Sequence, residues 1–401
     1  MKITYFNYLY DLYGASIGST IKAIELFRAF ESLGHSVCIH WRKAGEVDSE
    51  EGPQKFRFLL KQKLDRYLHQ PNQVLRNLNY LREEFSIVQR EKPDVLIARL
   101  ESNVFSPPVL AQHFQMPFIA EVDSPVMYEI RHFVKSYCLP FAFLDRLELE
   151  FILKADKAFC VSEELKQHYV QRGVPSDHLT VIPNGADITR FHPDSLNRNI
   201  RKKLNIDDYV VIGFIGSFQY WHGVDALINL IDTVLTRHDN AAFLLVGKGG
   251  PMRRQLQQHI QSTKNAHRVS MIDYLPHQDI PHLIHAMDIV LAPYPDLPFF
   301  YYSPVKIYEY LACAKPVVTS RIGQISSMIE HNRNGLLCKA GEISEFYHQI
   351  RRLIQSSDLR KNLGQTAFER IQDEGTWHHR AKKLESLVQD VVCSRTQTVS
   401  C

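Results

Sequence analysis

Short β-branched or apolar runs alternate with longer amphipathic stretches almost from end to end of this chain, a pattern that few architectures accept. Strands joined through helices run parallel, and a parallel sheet is covered by those helices on both faces. An α/β fold is therefore predicted. One series places strands near 2–6, 36–40, 94–98, 118–121, 157–161 and 180–182, with helices such as 19–33, closed at Gly34, and 163–171 between them. A second, cleaner series follows a polar break over 193–201, with strands near 209–215, 241–246, 268–272, 288–292 and 316–320. At 401 residues the chain exceeds what one core usually holds, so two domains are expected, joined through Asn184-Gly185 and Pro193 near residue 195.

Composition narrows the class of partner. Hydrophobic residues at 45% and charged residues at 23% are those of a globular chain, and a net charge of +3 gives a nucleic-acid reading no support. The seven cysteines are scattered and form no Cys-x-x-Cys pair, which suggests neither a disulfide framework nor a zinc site. The N-terminus reads as a strand, not a signal peptide, and no window approaches a bilayer-spanning length. A cytoplasmic protein is expected. The basic and apolar stretch 55–64 could touch the inner membrane face, or form an exposed amphipathic helix packed on the core.

Candidate chemistry lies at strand exits. Ser303 suits an N-cap and Pro304 a first helical position, so a helix is predicted to start there and stop before Pro316. A helix N-terminus following a parallel strand offers free N–H groups and a partial positive charge to a phosphate. Ser303 and the amides of Val305 and Lys306 would line it. Lys306 and Glu309 share one helix face, which lets a cation meet phosphate while a carboxylate accepts from ribose hydroxyls; a surface salt bridge is the alternative. A second exit is bracketed by Gly216 and Gly223, with His222 either donating to a diphosphate or merely solvated. Lys248 sits in a third, Gly247-Lys248-Gly249-Gly250. Three such turns on one side of one sheet point to a ligand cleft.

Several segments, taken in order, resemble glycosyltransferase family 4 (glycosyl transferases group 1), a retaining family with the GT-B fold. They are Gly14–Gly18 with Leu33-Gly34-His35-Ser36-Val37, Ala155-Asp156-Lys157 through Leu165, Val181–Phe191, Val246-Gly247-Lys248-Gly249, Tyr274-Leu275-Pro276 and Ser303–Ala312. The resemblance covers nearly the whole chain. It implies two Rossmann-like domains facing each other across a cleft, an acceptor-side domain over 1–195 and a nucleotide-sugar domain over 196–375. A C-terminal helix over 376–401 could pack back on the first.

The implied reaction moves a sugar from a nucleoside diphosphate to an acceptor hydroxyl with retention of configuration, without an obligatory cofactor or metal. Carbohydrate, lipid-linked and small-molecule acceptors all fit. Implied catalytic residues are Asp123, Lys306 and Glu309, with Asp123 also suited to an N-cap. Implied donor contacts are Gly18, Gly216, Ser217, His222, Lys248, Ser303, Pro304, Val305, Lys306 and Glu309. Gly18 would let a turn close tightly against the donor. Two segments depart from the family pattern: Tyr301 replaces the first of two glutamates, and Ser217 and His222 stand where an arginine and a lysine are common, leaving Lys306 as the main cation. A nucleotide-sugar epimerase or phosphorylase of the same fold, or a non-catalytic binding protein, are the other readings.

Overall fold

A computed structural model describes residues 1–9, 17–42, 75–134, 140–193, 199–273 and 275–399. Gly14, the stretch 55–64, Tyr274 and part of the expected linker lie outside them. The chain divides into two compact units, one of Met1–Tyr10, Leu26–Pro183 and Ala381–Cys401, the other of Asp11–Glu25 and Asn184–Arg380.

The first unit holds a six-stranded parallel sheet of β1 (Lys2–Asn7), β2 (Ser36–Trp41), β3 (Val95–Arg99), β4 (Phe118–Val122), β5 (Lys157–Cys160) and β6 (Leu179–Val181). Their order is β2-β1-β3-β4-β5-β6. Ile3 lies opposite Val95, and Leu96 opposite Phe118. Every residue of β3 and β4 is buried, as expected of strands covered on both faces. The helix after β1 runs Ile17–Glu31, starting before the predicted Ser19. Glu163–Gln171 forms as predicted because Ser162 caps it, accepting from the Leu165 amide at 3.1 Å.

The second unit repeats the plan with β7 (Val210–Ile215), β8 (Ala241–Val246), β9 (Val269–Ile272), β10 (Ile289–Ala292), β11 (Val317–Ser320) and β12 (Leu336–Cys338). The order β12-β11-β10-β7-β8-β9 reverses direction between β7 and β10. Side chains alternate between the two faces of β8. Ala242, Leu244 and Val246 join one core cluster, while Ala241, Phe243 and Leu245 join the other. Each face is thus sealed by its own helices, and ligand access is left to the ends of the strands. In open α/β sheets the crevice at such a reversal, outside the carboxyl ends of the strands, is where ligands bind.

Candidate active site

Both strands flanking that reversal lead into candidate residues. β7 ends at Ile215 and runs into Gly216, Ser217 and His222; β10 ends at Ala292 and leads through 293–304 to the helix Val305–Ala312. One hydrogen bond ties this helix to β7, and one close approach crosses to the strand exit. The Ile215 amide donates to the Tyr310 hydroxyl at 2.7 Å, and a methyl group at Gly216 would come within 2.5 Å of the Lys306 ammonium nitrogen. Glycine at 216 therefore leaves room for the cation.

The helix starts one residue later than predicted. Pro304 occupies the cap position and Ser303 does not cap; its Oγ accepts from the Asn184 amide at 3.0 Å. A partner 119 positions away has taken the hydroxyl that local sequence would assign to the helix. The N–H groups of Val305 and Lys306 are left without intrahelical acceptors.

Lys306 is the centre of the arrangement. Its ammonium lies 4.7 Å from the Phe214 ring centroid and 5.7 Å from that of Tyr294, and Nζ is buried without a hydrogen-bond partner. Burial pushes its pKa down to about 7 against the opposing pull of Glu309. No ion pair joins Lys306 to Glu309 among the described residues, so the salt-bridge alternative does not hold. A desolvated cation beside free helix amides is suited to accepting an anion.

His222 is placed as an acceptor and not as a donor to a diphosphate. Nδ1 donates to the Ser217 carbonyl at 2.7 Å and lies 3.2 Å from Ser217 Oγ. Burial and the neighbouring Lys306 push its pKa down to about 3, so the ring is neutral at physiological pH. With the proton on Nδ1, Nε2 is an acceptor and suits a hydroxyl better than a phosphate oxygen.

Glu309 is buried and its Oε1 accepts from His277 Nε2 at 2.5 Å. Burial alone would lower the His277 pKa, but the Glu309 carboxylate prevails and raises it, with Arg190 opposing. Neither His277 nor Arg190 was singled out from the sequence, although Arg190 falls in the Val181–Phe191 segment that carries the family resemblance.

The remaining candidates are less engaged. Lys248 is exposed, and a methyl group at Gly18 would meet nothing within 4 Å, so no tight closure requires glycine there. Tyr301 is 1% exposed, its hydroxyl donating to that of Tyr302 at 3.1 Å. In the first unit Asp123 does not cap the helix Val126–Glu129, whose cap position is Pro125. Its Oδ2 instead lies 3.1 Å from Arg99 Nη1, both side chains buried. Asp123→Ala is therefore expected to destabilise the protein by about 3–5 kcal/mol, because a buried guanidinium loses its partner. The urea midpoint reads this; a variant as stable as wild type yet inactive would return Asp123 to a catalytic role.

The sequence matches two family models, Glycosyltransferase Family 4 over residues 18–190 and Glycosyl transferases group 1 over 197–370. Its two halves are thus a Glycosyltransferase Family 4 domain followed by a Glycosyl transferases group 1 domain. Among curated relatives, D-inositol 3-phosphate glycosyltransferase of Corynebacterium jeikeium is 27% identical over 222 residues, 53% of this chain and 52% of that one. The chain spans little more than half the length of the first such relatives. Among solved structures, sucrose-phosphate synthase of Thermosynechococcus elongatus aligns with a TM-score of 0.73 at 17% identity, covering 98% of this chain and 99% of that one. HepE of Anabaena in complex with UDP aligns at 0.71 and 18% identity, covering 97% and 100%. These likenesses establish the GT-B fold of two Rossmann-like domains. No helix among the described residues is long and apolar enough to cross a membrane.

Proposed function

We propose that this chain transfers a sugar from a nucleoside diphosphate sugar to an acceptor hydroxyl with retention of anomeric configuration. The observation that carries the reading is the unpartnered Lys306 ammonium, held beside a helix N-terminus at the sheet reversal. A departing diphosphate needs fixed positive charge where its own charge develops, and Lys306 with the amides of the helix Val305–Ala312 would supply it. The bond from the anomeric carbon to the β-phosphate oxygen breaks, the acceptor oxygen bonds to that carbon from the same face, and its proton passes to the departing phosphate. Glu309 accepts from the donor ribose. Neutral His222 accepts through Nε2 from a hydroxyl of the transferred sugar, and Gly216 keeps the strand exit open. With cationic charge supplied by the chain, no metal is required.

Uridine is the proposed base, supported by HepE having been solved with UDP. A thermal-shift screen of UDP, GDP and ADP is expected to give the largest stabilisation with UDP, since a ligand that binds only the folded state raises its midpoint. Turnover of the matching UDP-sugar with unchanged rate in EDTA, and a product of the same anomeric configuration by NMR, complete the test. Inversion would refute the retaining mechanism. Donor consumption with no acceptor present would favour an epimerase.

A further inference from the structure

The bond between His277 and Glu309 belongs to a chain of charged groups that the proposed transfer does not itself require. Arg190 Nη1 lies 3.2 Å from His277 Nδ1, and Arg190 Nη2 lies 3.0 Å from both Asp187 Oδ2 and Glu25 Oε1. All five residues fall in the second unit. A guanidinium can only donate, so Nδ1 accepts from it and the ring proton is directed to Nε2, toward Glu309. Asp187 and Glu25 anchor the guanidinium, and the Phe191 ring lies 5.3 Å from the imidazole. Glu309 Oε1 is thereby occupied, while Oε2 makes no hydrogen bond among the described residues.

We infer that His277 is a positioning residue for nucleoside recognition, locking one Glu309 oxygen so that the other is presented to the vicinal diol of a donor ribose. The inference rests on the donor reading given above. A free carboxylate rotates between acceptor geometries, and ordering it falls to whatever binds it. His277 takes that ordering into the fold, so the diol meets an acceptor already set. Nothing in this role touches the diphosphate.

The test compares the affinities of UDP, 2′,3′-dideoxy-UDP and inorganic pyrophosphate for the wild type, His277→Ala and His277→Gln by calorimetry. Wild type is expected to prefer UDP over the dideoxy compound by at least about tenfold, the value of a charged hydrogen bond. In His277→Ala that preference should collapse to within about threefold with pyrophosphate affinity unchanged. His277→Gln, whose side-chain amide can still donate to Oε1, should restore most of it.

A preference kept intact in His277→Ala overturns the inference and leaves the donor reading standing. Equal loss of UDP and pyrophosphate affinity in both variants overturns it too, since only a structural role moves both. If wild type binds UDP without preferring the diol, the ribose role of Glu309 itself falls, and His277 with it.

Discussion

Lys306→Ala is expected to lower turnover by about two to three orders of magnitude, the usual effect of removing one preorganised charge stabiliser. The same side chain sets a pH dependence whose direction follows from its pKa of about 7 in the donor-free protein. A diphosphate beside the ammonium favours the charged form, so above pH 7 the bound state holds more protons than the free one. Affinity must then fall as pH rises. If the bound pKa lies well above 9, the loss between pH 7 and pH 9 is about 50-fold. Calorimetry in two buffers of different ionisation enthalpy reads the proton uptake directly. His222, neutral throughout this range, adds nothing to the slope. A flat affinity profile, with Lys306→Ala turning over within tenfold of wild type, would move the phosphate site elsewhere.

Gly223→Ala is expected to harm the fold through both its backbone conformation and its packing. Gly223 adopts φ of +76°, and a methyl group there would come within 1.7 Å of the Pro293 carbonyl oxygen, a backbone atom with little freedom to move. The left-handed backbone costs an alanine about 1–2 kcal/mol, and overpacking adds about 1–3 kcal/mol. Gly34→Ala is the control. It shares a positive φ of +92° but has nothing within 4 Å, so only the backbone contribution is expected. Urea midpoints separate the two. Equal shifts would mean that the Pro293 segment yields freely, and the loop before the helix Val305–Ala312 would then be too soft to hold Lys306.

Most of the two sheets was legible because parallel strands buried on both faces leave continuous apolar runs. Ala241–Val246 is such a run, predicted and found with the same ends. β12, Leu336–Cys338, was not read from the sequence. Local chemistry decides the cap at Ser162, whose partner lies three residues away. It failed for Ser303, whose hydroxyl is claimed across the fold by Asn184. The positions of Lys306 and Glu309 on one helix face could be read from spacing, but their partners could not. Burial among Phe214 and Tyr294 lowers the Lys306 pKa, and His277 reaches Glu309 from 32 residues away. His222 shows the same limit, since its neutrality comes from neighbours that only the folded chain assembles.

The way the chain is shared between its two units bears on the order in which they can be finished during synthesis. Residues 381–401 belong to the first unit, yet they follow the whole of Asn184–Arg380. At ribosomal rates of about 5–20 residues per second, the intervening stretch takes roughly 10–40 s to make. The early strands therefore wait that long for their last helical segment, while the second unit already has every residue it uses. A nascent chain of this protein completes its later-encoded half first.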